Sequence, residues 1–194
     1  MDFNELFDAY NCHLSDDEVK NTVATILEDE FDANNNIDVW KQCLHQIDLT
    51  TLNGDDTTAK VKKMAQKVNE FSQHFPNIPN VAAMCVYPAL VETAKQTLTE
   101  PIGIAAVAAG FPASQTFIEV KVAESALAVH AGATEIDIVI SQGKFLEGNY
   151  QEVFDELQTY LCFREILRRS PPTIFLHYSH SLYNPLIKLA CALN

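Results

Sequence analysis

Basic residues are scarce in this sequence: 13 Lys and Arg stand against 26 Asp and Glu, a formal net charge of −13 over 194 residues. Such a surface repels phosphate backbones and anionic bilayers, so nucleic-acid or membrane partners held by bulk charge are excluded. Any phosphate site must be local, built from backbone amides and a few placed lysines. No apolar run is long enough to span a bilayer. The opening, Met1 to Lys20, is acidic and polar, the opposite of an export or organelle signal, and the expected location is the cytoplasm. Cys12, Cys43, Cys85, Cys162 and Cys191 make no CxxC pair and are odd in number, so they read as reduced thiols. Neither GxGxxG nor a GxxxxGK phosphate loop occurs, which weighs against nucleotide-binding folds. No internal repeat is present, and the only biased stretch is the short run Asn34–Asn36.

What is present is one domain's worth of apolar material, 47% of the chain. The charge is uneven along it. From Met1 to Cys162 nine lysines face 25 acids, whereas from Phe163 onward three arginines and one lysine face a single acid. Arg164, Arg168 and Arg169 are all the arginines there are. A stretch of 32 residues is too short for a second core. The segment 163–194 is therefore expected to be a divergent tail, as from a frameshift, a premature stop or an altered splice, or unstructured.

Ser15 and Glu18 make a capping box ahead of Val19, Val23, Ile26 and Leu27 at helical spacing, which predicts an amphipathic helix to about Phe31, packed outside the main body. A second helix is expected from Asp38 to about Gln46. A repeated alternation follows. Short apolar strands at Ile47–Thr50, Val81–Tyr87, Ile102–Ala109 and Glu135–Ile140 are each followed by a helical pattern, the third closed by Gly132. Four strand–helix units with strands apolar on both faces imply a parallel sheet covered by helices, either doubly wound or part of a (βα)8 barrel. Asp48, Cys85 and Asp137 inside those strands favour the barrel, where strand residues point into a shared mouth. The domain reading is 1–36 helical extension, 37–162 half-barrel and 163–194 tail.

Asp137 is the sharpest chemical signal. A carboxylate on a doubly covered strand is costly unless it has partners or a task, so catalysis and structural capping both stay open. Asp48 lies nearer a loop, where capping gains weight. Cys85 could act as a nucleophile, but buried cysteines mostly behave as small hydrophobes, which favours a pocket-lining role. Gly110-Phe111-Pro112 reads as an active-site rim or a strand-end turn. Lys121 reads as a solvated helix charge. His177 and His180 read as a chance pair, since no further ligand is placed with them, and no metal is expected. Thr173–Tyr178 could add a fifth strand.

Four segments, Ile47–Asn53, Ala83–Pro88, Val107–Pro112 and Gly132–Val139, resemble 2-deoxyribose-5-phosphate aldolase in sequence, order and spacing over about Ile37–Tyr160. The resemblance implies an incomplete TIM (βα)8 barrel of about four βα units behind N-terminal helices. It implies a class I lyase of deoxyribonucleotide catabolism, which cleaves 2-deoxy-D-ribose 5-phosphate to glyceraldehyde 3-phosphate and acetaldehyde through a lysine Schiff base, with no cofactor. By the same resemblance Asp137 positions the proton relay, while Asp48 and Cys85 belong to the substrate pocket.

The family's Schiff-base lysine lies in a Phe-Ile-Lys-Thr-Ser-Thr-Gly segment and a second active-site lysine in Gly-Phe-Lys-Pro-Ala-Gly-Gly. Neither segment occurs here. This chain is therefore expected to lack turnover. The alternative is a non-catalytic half-barrel that binds a partner or associates with itself through its open face.

Overall fold

Five short strands line up in the order in which the chain makes them. In the computed structural model, which describes residues 2–10, 14–166 and 173–177, these are β1 (Asp48–Thr50), β2 (Ala83–Val86), β3 (Gly103–Ala108), β4 (Glu135–Val139) and β5 (Thr173–His177). They form one parallel sheet in the order β1-β2-β3-β4-β5. The helices are α1 (Phe3–Ala9), α2 (Asp16–Asn34), α3 (Ile37–His45), α4 (Thr58–His74), α5 (Val91–Thr97), α6 (Ile118–Ala131), α7 (Gln142–Leu146) and α8 (Tyr150–Ile166). The described residues fall into two compact units, one reaching to Cys43 and the other beginning at Leu44.

In the first unit, Asp2 caps α1 by accepting from the amide of Asn4 at 2.9 Å, and Phe3 and Phe7 are buried. The Ser15–Glu18 capping box is formed: the Ser15 amide donates to Glu18 Oε2 at 2.7 Å, and the Glu18 amide donates to Ser15 Oγ at 3.3 Å. Two otherwise orphaned amides at the helix start are satisfied in this way. The helix that follows buries none of its residues.

In the second unit the sheet sorts its side chains by alternation. Met84, Val86, Ile104, Ala106, Ile136 and Ile138 share one face and are all buried, each 4% exposed or less. Val61, Ala65 and Val68 of α4, Val91 and Ala94 of α5, Ala128 of α6, and Val153 and Leu157 of α8 supply the buried apolar side of the helical layer. The opposite face carries a second cluster of small residues, Ala83, Cys85, Ala105 and Val107, packed by Leu52, Tyr87 and Phe111 from the strand ends. One sheet face is thus backed by helices while the other looks toward an interior, the layering of a partial (βα)8 barrel.

The sheet extends beyond the four expected units. β5 lies inside the segment that composition sets apart, and it pairs with β4 from Glu135↔Thr173 to Val139↔His177. The rest of the tail from Tyr178 lies outside the described residues, as does His180. Two short helices, α1 and α7, carry too few periodic positions to stand out in the sequence.

Candidate active site

Strand register decides which side chains meet. Ladder partners in a parallel sheet point to the same side. Asp48 pairs with Ala83, Thr50 with Cys85, Cys85 with Ala105, and Val107 with Asp137. Asp48, Cys85 and Asp137 are therefore brought to one face, the inner one. Cys85 is 2% exposed. Burial, then the carboxylates of Asp137 and Asp48, push its thiol up to about 12. A thiol in that field is neutral at physiological pH and packs in the inner cluster as a small apolar group. Burial also pushes the half-buried Asp48 carboxyl up.

A third acid belongs to this face. Glu135 sits two residues before Asp137 on β4 and pairs with Ala105 and Thr173. Its carboxyl is pushed up by burial, then by Asp48 and Asp137. Gly103 makes room for it, because a Cβ at that position would collide with Glu135 Oε1 and stand 3.1 Å from the Ala83 Cβ. The sequence places Glu135 on the fourth strand but gives it no role; the period of two that it shares with Asp137 and Val139 was the signal that could have put it on the same face.

The loops at the strand ends are tied down by side chains. After β1, Asp56 accepts from the Thr51 hydroxyl at 2.8 Å, the Asn53 amide at 3.0 Å and the Lys60 ammonium. The Lys60 ammonium does most to hold the Asp56 carboxyl down at about 2, with the Thr51 and Asn53 bonds adding to it. After β2, the Tyr87 hydroxyl donates to the Leu52 carbonyl at 3.3 Å, and its ring meets Phe111 edge-on at 6.5 Å. After β3, the chain enters left-handed backbone at Ala109 (φ 65°) and Gly110 (φ 71°), and again at Ser114 (φ 55°). Two contacts fix this turn: the Gly110 amide donates to Glu124 Oε2 at 2.9 Å, and Ser114 Oγ donates to the Val139 carbonyl at 3.0 Å. Gly110-Phe111-Pro112 is therefore a strand-end turn that also presents Phe111 to the inner cluster.

Lys121 is not the solvated charge its helical position suggests; it is 1% exposed. Its Nζ donates to Ser141 Oγ at 2.7 Å and to Glu156 Oε2 at 3.4 Å. Ser141 Oγ donates to Glu156 Oε1 at 3.0 Å, and Lys144 Nζ reaches the same oxygen at 3.0 Å and Glu152 at 2.8 Å. Burial pushes the Lys121 ammonium down, against the pull of Glu156. The partners stand 20 and 35 residues away in sequence, so no local pattern announced them. Polar Lys121 and Ser125 face inward on α6 while Val120 and Leu127 are exposed, the reverse of ordinary amphipathic order.

Both amines thus sit in the α6–α8 helical layer, and none of the inner-face positions of β1 to β4 is Lys or Arg. Among the described residues no cluster of three or more His, Cys, Asp or Glu is arranged to hold a metal ion, and no helix is long and apolar enough to cross a membrane. His177 occupies the register position of Val139.

Known proteins are similar to this chain in sequence and in fold. The DeoC/LacD family aldolase model matches residues 43–161. Human deoxyribose-phosphate aldolase is 40% identical over 126 residues, covering 59% of this chain and 39% of its own length. The bovine protein of the same name is 39% identical over 126 residues with the same coverage. The chain thus spans about two fifths of the length of these curated relatives. The solved structure of the deoxyribose phosphate aldolase from Aeropyrum pernix superposes with a TM-score of 0.64 over 82% of this chain and 64% of that one, at 16% identity, a likeness of fold.

Proposed function

Because the chain belongs to the DeoC/LacD aldolase family, we propose that its inner sheet face is the first half of a deoxyribose-phosphate aldolase site. The observation that carries this reading is the convergence of Asp48, Cys85 and Asp137 on one face. In the proposed chemistry an amine condenses with the substrate carbonyl, losing water to form an iminium. The C3 hydroxyl gives up its proton and becomes the aldehyde of glyceraldehyde 3-phosphate as the C2–C3 bond breaks, its electron pair passing to the iminium, and the resulting enamine takes a proton at C2 before hydrolysis releases acetaldehyde and the free amine. Asp137 positions the proton relay, Asp48 borders the substrate, and Cys85 fills the wall between them. The place of this reaction is deoxyribonucleotide catabolism in the cytoplasm.

The same reading makes this chain by itself catalytically silent. An iminium needs an amine on the inner face. Lys121 and Lys144 are instead engaged by Ser141, Glu152 and Glu156. The direct test is a retro-aldol assay with 2-deoxyribose 5-phosphate, read as glyceraldehyde 3-phosphate, together with borohydride trapping in the presence of acetaldehyde. Neither turnover nor a trapped adduct is expected. Turnover that disappears in Asp137→Asn would establish another lysine as the Schiff-base former and overturn the reading.

A second reading, a half-barrel that engages a partner, is favoured by the sheet edges. Among the described residues β1 and β5 each have a single strand neighbour. Unpaired edges template further pairing. Size-exclusion chromatography of the purified chain is expected to show concentration-dependent association, and a compact monomer at all concentrations would remove this reading.

A further inference from the structure

The least explained surface of the molecule is on α2. Val19, Val23, Ile26, Leu27 and Phe31 lie on one side of the helix at spacings of three, four, seven and eight, and each is between 45% and 57% exposed. The charge of the helix is as uneven as its apolarity: seven acids stand against the single Lys20. Asp16, Asp17 and Glu18 occupy the first turn, where the helix dipole favours them. Glu28, Asp29, Glu30 and Asp32 crowd the other end, where the dipole is negative and the last turn holds no basic residue. Glu28 and Asp32 are also a like-charge pair four residues apart. Among the described residues none of these four carboxylates takes part in an ion pair. Glu28 stands three residues before Phe31 and Glu30 four after Ile26, so the acids border the apolar stripe and reach into its end.

Carboxylates without counter-charge at the unfavourable end of a helix, beside exposed apolar side chains, fit a cover that is both apolar and cationic. Two copies of α2 laid together would bring fourteen acids into one interface, and an anionic bilayer would be repelled. We propose that α2 docks an amphipathic helix of a basic partner protein. The partner's apolar face meets Val23, Ile26, Leu27 and Phe31, and its flanking lysines or arginines meet Glu28, Glu30 and Asp32. The apolar stripe supplies the helix-to-helix anchors, and the acids select a cationic partner over other amphipathic helices.

The test uses the full chain and, as probe, a synthetic helical peptide of leucines and lysines with the leucines at i, i+3, i+4 and i+7. A peptide of the same composition in scrambled order keeps the charge and loses the apolar face. Hydrogen exchange should show the α2 amides from Val23 to Phe31 open in the chain alone and protected when the amphipathic peptide is added, and the scrambled peptide should bind about tenfold or more weakly. Ile26→Asp should weaken binding by a similar factor. Glu28→Gln/Glu30→Gln/Asp32→Asn relieves repulsion within the helix, so α2 stays folded, and it should also weaken binding about tenfold. Equal affinity for the two peptides, undiminished binding by the triple variant, or protection confined to other elements overturns the proposal. Protection of α2 in the chain alone overturns it as well, in favour of an intramolecular cover where it is independent of concentration and of a second copy where it fades on dilution.

Discussion

The environment of Cys85 sets its reactivity in a way that can be worked through. Moving a thiol from its reference value of 9.0 to about 12 lowers the thiolate fraction at pH 7 about a thousandfold. The more basic thiolate is the better nucleophile, and a Brønsted slope of about 0.4–0.5 returns roughly a factor of 15–30. The net expectation is alkylation some 30 to 70 times slower than that of an unperturbed cysteinyl peptide, before steric access lowers it further. Peptide mapping after timed iodoacetamide exposure measures this at Cys85 directly. The rate should keep rising about tenfold per pH unit up to pH 11, where an ordinary thiol has already levelled off. Asp137→Asn removes one of the opposing charges and should raise the Cys85 rate at neutral pH. Alkylation of Cys85 within about threefold of the free peptide at pH 7, or a plateau by pH 9, would refute both the burial and the carboxylate argument. It would also reopen Cys85 as a nucleophile.

Two further perturbations test the rest of the structure. In the α6–α8 network the partners are not equivalent: Glu156 keeps Lys144 and Ser141 if Lys121 goes, whereas Lys121 loses its nearest carboxylate if Glu156 goes. Glu156→Leu should therefore cost about 3–5 kcal/mol and Lys121→Met about 1 kcal/mol or less, with the double variant close to Lys121→Met; urea midpoints that are equal for the two single variants would contradict this. Glu135 carries the opposite sign of pH effect from most carboxylates. Its folded pKa is raised, so its contribution is fully present below the unfolded value near 4.3 and is lost as pH rises through the folded one. Glu135→Gln should flatten the fall in stability on the alkaline side of pH 4.3, and an unchanged pH profile would show that neither burial nor the neighbouring acids raise this carboxyl on folding.

Much of this architecture was readable because it rests on short-range pattern. The Ser15–Glu18 box needs only three residues of sequence, and it forms as expected. Asp48, Cys85 and Asp137 stand out because each interrupts an apolar strand, and alternation then carries them to one face once the register is known. What escaped the sequence depends on residues far apart. Lys121 looks like any surface lysine until α8 brings Glu156 to it. Glu135 is only the first residue of a strand until Gly103 is seen to leave space for its side chain. The apolar positions of α2 were legible as a stripe, but periodicity gives no information about what a stripe packs against.

The sheet order has a consequence for how such a chain is made. Each strand's partner in the ladder is also its predecessor in synthesis, with the paired residues separated by 20 positions at the shortest, Ala83 to Gly103, and 38 at the longest, Glu135 to Thr173. The entropy of closing such loops grows only with the logarithm of their length, so the steps cost nearly the same. A strand leaving the ribosome therefore meets a finished edge and adds to it without waiting for anything downstream. The fold grows like a row of staves set one against the next, and the portion already standing depends on what was translated before it.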